Sequence, residues 1–254
     1  MEKSDNKIYA LFAGVNGAGK STMYEMLGHE IEGVRINSDE ILVSNGGDWK
    51  SEKDQIEAGM EAVKRIKHCI NDGISFNQET TLAGRSILGT IKKAKEQGYT
   101  IKIYYVGLEN ADLAIERVNK RVYEGGHGID EDVIKKRYTA SLAMLKQVLP
   151  LCDVAAIYDN STRFNKIAMY TDNRWMVFDH KCEWFKGILP ETIKETNTVK
   201  IEKEAVKQKR DQLDNEQNSM DSYMAEIAKA RAAKAKNVPE STQYNRRSSE
   251  KHNR

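Results

Sequence analysis

The sequence predicts an α/β fold: a mostly parallel sheet with helices on both faces, followed by a charged helical C-terminal extension. Three observations predict it. Short apolar runs alternate with helical stretches from residue 7 to residue 160, and such alternation builds βαβ units on a parallel sheet. A glycine-rich loop joins the first apolar run to the first helix. All 17 Gly, all three Trp and all five Phe stand before Pro190. The chain therefore divides into a core-forming part, 1–190, and a tail, 191–254, with too little apolar surface for a core of its own.

The elements follow in order. KIYALFAG (7–14) is apolar, partly β-branched and aromatic, and ends in glycine, which reads as a buried strand. Residues 20–29 read as a helix and VRIN (34–37) as a second strand. Ile56, Met60, Val63, Ile66 and Ile70 recur at three- and four-residue steps, so 52–72 is expected to be a helix with that apolar face inward. ISFNQ (74–78) is a third strand, and 86–97 is a helix stopped by Gly98. TIKIYYVG (100–107) is a fourth strand. Helices at 110–122 and 130–148 flank the glycine-rich YEGGHG, and VAAIYDN (154–160) is a fifth strand. The turn TDN between 164–170 and 174–179 predicts an antiparallel hairpin. In the tail, about 199–236 holds good helix formers without proline, and the end after Pro239 is expected to be disordered. The tail carries net charge +3 and leaves the first part at −1.

Composition narrows the function. Forty basic and 38 acidic residues give a net charge of +2 over 254 residues, which does not suit a general polyanion binder. Nucleic acid is therefore not the expected partner. Cys69, Cys152 and Cys182 form neither a CxxC pair nor an even disulfide framework, as in a reducing cytoplasm. No stretch reaches 18 apolar residues, so a cytoplasmic protein without a membrane span is expected.

GVNGAGKST, from Gly14 to Thr22, fits G-x-x-x-x-G-K-[ST] and leaves a strand to open a helix. It implies a P-loop NTPase or kinase fold. Glycines let successive N–H groups curl toward phosphate oxygens, and the helix start adds its positive end. Gly14, Asn16, Gly17, Ala18, Gly19, Lys20, Ser21 and Thr22 are the candidate nucleotide-binding residues. Lys20 is expected to bridge the terminal phosphates of ATP or GTP, and Ser21 to ligate Mg²⁺.

The chain has no Asn-Lys-x-Asp base-reading motif, and its fourth strand ends in Gly-Leu-Glu rather than paired acids. These exclude the usual GTPase and motor ATPase patterns. Instead an acidic residue, Asp39 in RINSDEIL, follows the second strand, and Arg117, Arg121 and Arg137 surround the glycine-rich turn. That suits a small-molecule kinase with a lid. Asp39 is the candidate base for the acceptor hydroxyl, and the arginines stabilise the transferred phosphoryl. His127 of the same turn stands where it would touch phosphate or serve structure alone. Glu79, Thr80, Thr81 and Arg85, after the third strand, stand where an acceptor binds in an open α/β sheet.

Taken together, GVNGAGKST, INSDEIL, QETTLAGRS, RVNKRVYEGGHG, IKKRY and IYDNS resemble the zeta toxin family of P-loop kinases over roughly residues 7–180. The resemblance implies a phosphotransferase that uses ATP or GTP to phosphorylate UDP-N-acetylglucosamine on its amino sugar, and a small antitoxin as partner. It implies Asp39 as general base, Glu79 and Thr81 as sugar-binding residues, and Arg121 and Arg137 as phosphate contacts. The pattern departs at one point: Ala83 and Gly84 intervene between Thr81-Leu82 and Arg85, where better-known toxins read Thr-Leu-Arg. Three alternatives stand beside this reading: a small-molecule kinase with another acceptor and no toxin role, a nucleotide-gated interaction protein, and a polynucleotide kinase aided by the basic tail, which the acidic balance of residues 1–190 disfavours.

Overall fold

The structure, a computed structural model, describes residues 7–27 and 33–189, together with Ser222. Apart from that serine, the expected extension at 191–254 lies outside the described residues.

Seven strands form one sheet. β1 (Ile8–Ala13), β2 (Val34–Ile36), β3 (Phe76–Thr80), β4 (Thr100–Gly107) and β5 (Val154–Asp159) are parallel; β6 (Asn165–Thr171) and β7 (Arg174–Val177) continue it antiparallel. The order is β2-β3-β1-β4-β5-β6-β7. From β1 the chain passes over β3 to reach β2, whereas from β3 it passes over β1 to reach β4. The loops leaving β1 and β3 therefore diverge and open a crevice at the strands' carboxyl ends.

The helices are α1 (Lys20–Leu27), α2 (Ser38–Ser44), α3 (Glu52–Asp72), α4 (Ser86–Glu96), α5 (Ala111–Tyr123), α6 (Glu131–Val148) and the short α7 (Glu183–Lys186). Tyr9, Leu11 and Ala13 point to one face of the sheet. There they join a buried cluster with Ile66 and Ile70 of α3, Ile87 and Ile91 of α4, and Leu145 and Val148 of α6. Phe12 points to the other face, meeting Tyr24 of α1 edge-on at 5.2 Å and stacking on Tyr104. Helices thus cover both faces. Continuous burial along β1 is what a central parallel strand requires.

Two expectations are corrected. The third strand lies at Phe76–Thr80 rather than 74–78, because Ile74 and Ser75 close the turn after α3. Glu79 and Thr80 therefore end a strand instead of following one. Helix α3 does not turn Ile56, Met60 and Val63 inward. It buries Ala58, Ala62, Ile66, Cys69 and Ile70, and Met60 is 61% exposed. Small side chains let the helix approach the sheet closely, and the bulkier stripe beside them is left outside.

Candidate active site

The P-loop borders the crevice. Gly14 leaves β1 with φ +143°, and a Cβ there would lie 2.2 Å from the Val106 carbonyl oxygen of β4. Only glycine fits that approach. The Gly14 N–H donates to the Thr80 carbonyl (3.2 Å), tying the loop to β3. Asn160, directly after β5, donates from Nδ2 to the Ala18 carbonyl at 2.9 Å, and its own N–H donates to the Gly107 carbonyl. The loop is thus held by β3 and by the segment beyond β5.

Lys20 opens α1, buried, with Nζ donating to the Val15 carbonyl at 3.1 Å. Burial lowers its ammonium below the ordinary lysine value; Glu79 and Asp39 push it back up, while Arg121 and Arg137 push it down. These four side chains converge on one ammonium group. The Ser21 hydroxyl donates to Glu79 Oε1 at 2.9 Å. Glu79, 8% exposed, accepts from Arg35 Nη2 (2.7 Å) and Asn37 Nδ2 (3.1 Å) on its other oxygen. Arg35 also pairs with Glu40 and lies 3.4 Å over the Tyr24 ring.

The hydroxyl of Ser21 and the carboxylate of Glu79 are hard oxygen donors, which fit Mg²⁺. Among the described residues no group of three or more His, Cys, Asp or Glu side chains gathers as a metal site. A sparse protein ligand set is what Mg²⁺ bound chiefly by phosphates and water requires.

Asp39 sits in the first turn of α2. The cap is Asn37, whose Oδ1 accepts from the Asp39 N–H at 2.9 Å, so the Asp39 carboxylate is not spent on capping. It is 54% exposed, and Oδ2 lies 3.9 Å from His127 Nε2. Arg121, near the end of α5, donates from Nη2 to His127 Nε2 (3.2 Å) and to the His127 carbonyl (3.0 Å). Arg137 of α6 donates to Asn16 Oδ1 of the P-loop at 3.1 Å.

The chain that carries this phosphate loop, open carboxylate and set of cations is similar to known proteins. A sequence model of the zeta toxin family matches residues 1–181. The chain belongs to the zeta toxin family. An uncharacterized protein of Haemophilus influenzae is 35% identical over 127 residues, covering 50% of this chain and 89% of that one. Among solved structures, the PezAT chromosomal toxin-antitoxin system of Streptococcus pneumoniae aligns with TM-score 0.52 at 14% identity. It covers 85% of this chain and 89% of that one. The AvrRxo1-ORF1:-ORF2 structure with ATP aligns with TM-score 0.53 at 15% identity, covering 72% of this chain and 63% of that one. At such identities these structures share the fold. Family and fold together make this zeta toxin relative a nucleotide-dependent phosphotransferase of the P-loop type.

The structure brings together Gly14, Asn16, Ala18, Lys20, Ser21, Glu79, Asp39, Arg121 and Arg137. Gly17 packs against α5, where its Cβ would meet the Ala114 carbonyl. Gly19 has φ +98° and Thr22 lies in the first turn of α1. Arg117 is turned elsewhere: Nη2 donates to the Ser161 carbonyl at 3.1 Å, beside Asp159. Thr80 Oγ1 accepts from the Leu82 N–H, shaping the turn after β3 rather than facing outward; Thr81 is half-buried beside it. Arg85 is exposed at the start of α4, and no hydrogen bond among the described residues ties it to the Glu79 network. Sequence reasoning missed Arg35, Asn37 and Asn160. Arg35 and Asn37 stand two apart at the end of β2, a spacing that turns both to one face of the sheet, the face that Asn77 and Glu79 of β3 share.

Proposed function

We propose that this chain uses ATP or GTP with Mg²⁺ to phosphorylate a hydroxyl of a nucleotide sugar, UDP-N-acetylglucosamine being the leading acceptor. The observation that carries the reading is the contrast between two carboxylates. Glu79 is closed off by Arg35, Asn37 and Ser21, whereas Asp39 is open to solvent and faces the lid residues. An acceptor hydroxyl needs an unoccupied base within hydrogen-bond reach.

In the proposed reaction the acceptor oxygen attacks the γ-phosphorus and its proton passes to an Asp39 oxygen. The bond from the γ-phosphorus to the β–γ bridging oxygen breaks, and the nucleoside diphosphate leaves with the electron pair. Lys20 leaves the Val15 carbonyl for the terminal phosphates. Arg121 and Arg137 stabilise the charge spread over the phosphoryl oxygens. The Ser21 hydroxyl would hold Mg²⁺, which when bound would supply positive charge to offset that of the phosphates. Glu79 binds the sugar together with Thr81 once a sugar hydroxyl replaces the Ser21 hydroxyl on its Oε1, with Thr80 shaping their turn, and Arg85 takes an acceptor phosphate. Arg117 supports the P-loop through the Ser161 segment. Family membership supports an antitoxin as partner. Residues 1–190 form the catalytic unit, and 191–254 are an extension outside it.

The test is diphosphate release with ATP or GTP, with and without UDP-N-acetylglucosamine. Release that rises on adding the sugar in the wild type, and stays at background in Asp39→Ala, supports the reading. Nucleotide binding without sugar-dependent release contradicts the acceptor assignment.

A further inference from the structure

The imidazole of His127 lies flat on the indole of Trp49, with ring centroids 3.7 Å apart and planes 3° from parallel. The two residues come from different segments. Trp49 belongs to the loop between α2 and α3, and His127 to the glycine-rich loop between α5 and α6. We propose that this stack is a latch that docks the glycine-rich loop beside Asp39, and that His127 is the positioning residue for Arg121. The proposal rests on the reading above for the roles of Asp39 and Arg121.

The Trp49 side is a braced platform. The Asp48 N–H donates to Asp54 Oδ2 (2.8 Å), the Ser51 N–H to the Asp48 carbonyl (2.9 Å), and Gln55 Nε2 to the Trp49 carbonyl (2.7 Å). The other side is a glycine-rich turn packed closely on Arg121. Gly125 takes φ +93°, and a Cβ on Gly126 would lie 2.7 Å from Arg121 Cγ. The Gly126 N–H donates to the Arg121 carbonyl (2.9 Å), which hangs the turn on the end of α5, and the ring contact ties it to the loop between α2 and α3.

The hydrogen bonding then fixes the guanidinium. Arginine has donors only, so His127 Nε2 must accept and its proton must reside on Nδ1. Nε2 and the carbonyl of one residue both take the same Nη2. The Arg121 Nε is buried with no hydrogen-bond partner among the described residues. Docking therefore holds Arg121 where its charge interacts with those of Asp39 and Glu79, with a donor still unspent. It also closes the loop beside the base, where water would compete with the acceptor.

The test uses the full chain. In ¹H–¹³C NMR, the His127 ring protons, identified by their absence in His127→Gln, are shifted upfield by the indole. Trp49→Leu abolishes that shift and Trp49→Phe restores part of it. Trp49→Leu and His127→Gln also reduce the preference for nucleoside triphosphate over diphosphate by on the order of tenfold, and Trp49→Phe recovers it. The ratio of acceptor phosphorylation to nucleotide hydrolysis falls alongside. An unchanged His127 shift in Trp49→Leu overturns the latch. So does a lost shift with unchanged nucleotide preference and product ratio. A wild type that phosphorylates no nucleotide sugar contradicts the proposed function instead, and the latch then stands or falls on the ring shift and the nucleotide preference.

Discussion

Glycine at position 14 is required by atoms outside its own loop. Its φ of +143° and the 2.2 Å approach of the Val106 oxygen leave no place for a methyl group. Gly14→Ala is expected to cost at least about 2 kcal/mol, read from a lower urea midpoint at unchanged slope. Arg35 is required differently, since it holds the 8%-exposed Glu79 as an ion pair. Arg35→Ala strands that carboxylate and is expected to cost about 3 kcal/mol in the same measurement. Adding Glu79→Gln is expected to recover part of that loss, because the two sites couple. The motif residues were legible because phosphate binding demands glycines, lysine and a hydroxyl at fixed spacing. Arg35 and Asn37 were not, because their role exists only once β2 lies beside β3. Arg117 matched the lid pattern, but the Ser161 carbonyl holds it through a contact 44 positions away in sequence.

Among the elements, α3 separates pattern from packing most clearly. Its period was readable, and its inward face was not. Two apolar stripes run along it, and the sheet took the one with alanines and cysteine. Ile66→Ala is expected to cost about 2–4 kcal/mol, whereas Met60→Ala stays within about 0.5 kcal/mol. Equal losses in thermal or urea unfolding would mean that the helix is turned as the sequence alone suggested. The strand at Phe76–Thr80 was found two residues late for a similar reason. Ile74 and Ser75 look like strand residues, but the Ile74 N–H donates to the Cys69 carbonyl and closes the end of α3. The other parallel strands and the hairpin were legible because their apolar runs are bounded by glycine or turn residues.

Over the whole molecule, the two halves of the site are held together by contacts that titrate. Burial, and then Arg121, holds the His127 imidazole below its ordinary value of 6.5, against the opposite pull of Asp39. The folded chain therefore binds that proton less readily than the unfolded chain. The stability it contributes is complete above pH 6.5 and is lost as pH falls below that value. Melting temperature is expected to fall from pH 6.5 toward 5.5, and that slope is expected to flatten in His127→Gln. A slope unaffected by the substitution would assign the acid sensitivity to other groups. The order β2-β3-β1-β4-β5 places the P-loop, Asp39 and Glu79 around one crevice, and a lid arginine from each of α5 and α6 reaches it. In the proposed reaction Asp39 takes the acceptor's proton there. Phosphorus NMR of wild type and Asp39→Asn, each with ATP, Mg²⁺ and UDP-N-acetylglucosamine, tests it most directly. A new sugar phosphomonoester signal is expected in the wild type, reduced at least about a hundredfold in rate by Asp39→Asn while nucleotide affinity holds. A phosphomonoester formed equally fast by Asp39→Asn would contradict it.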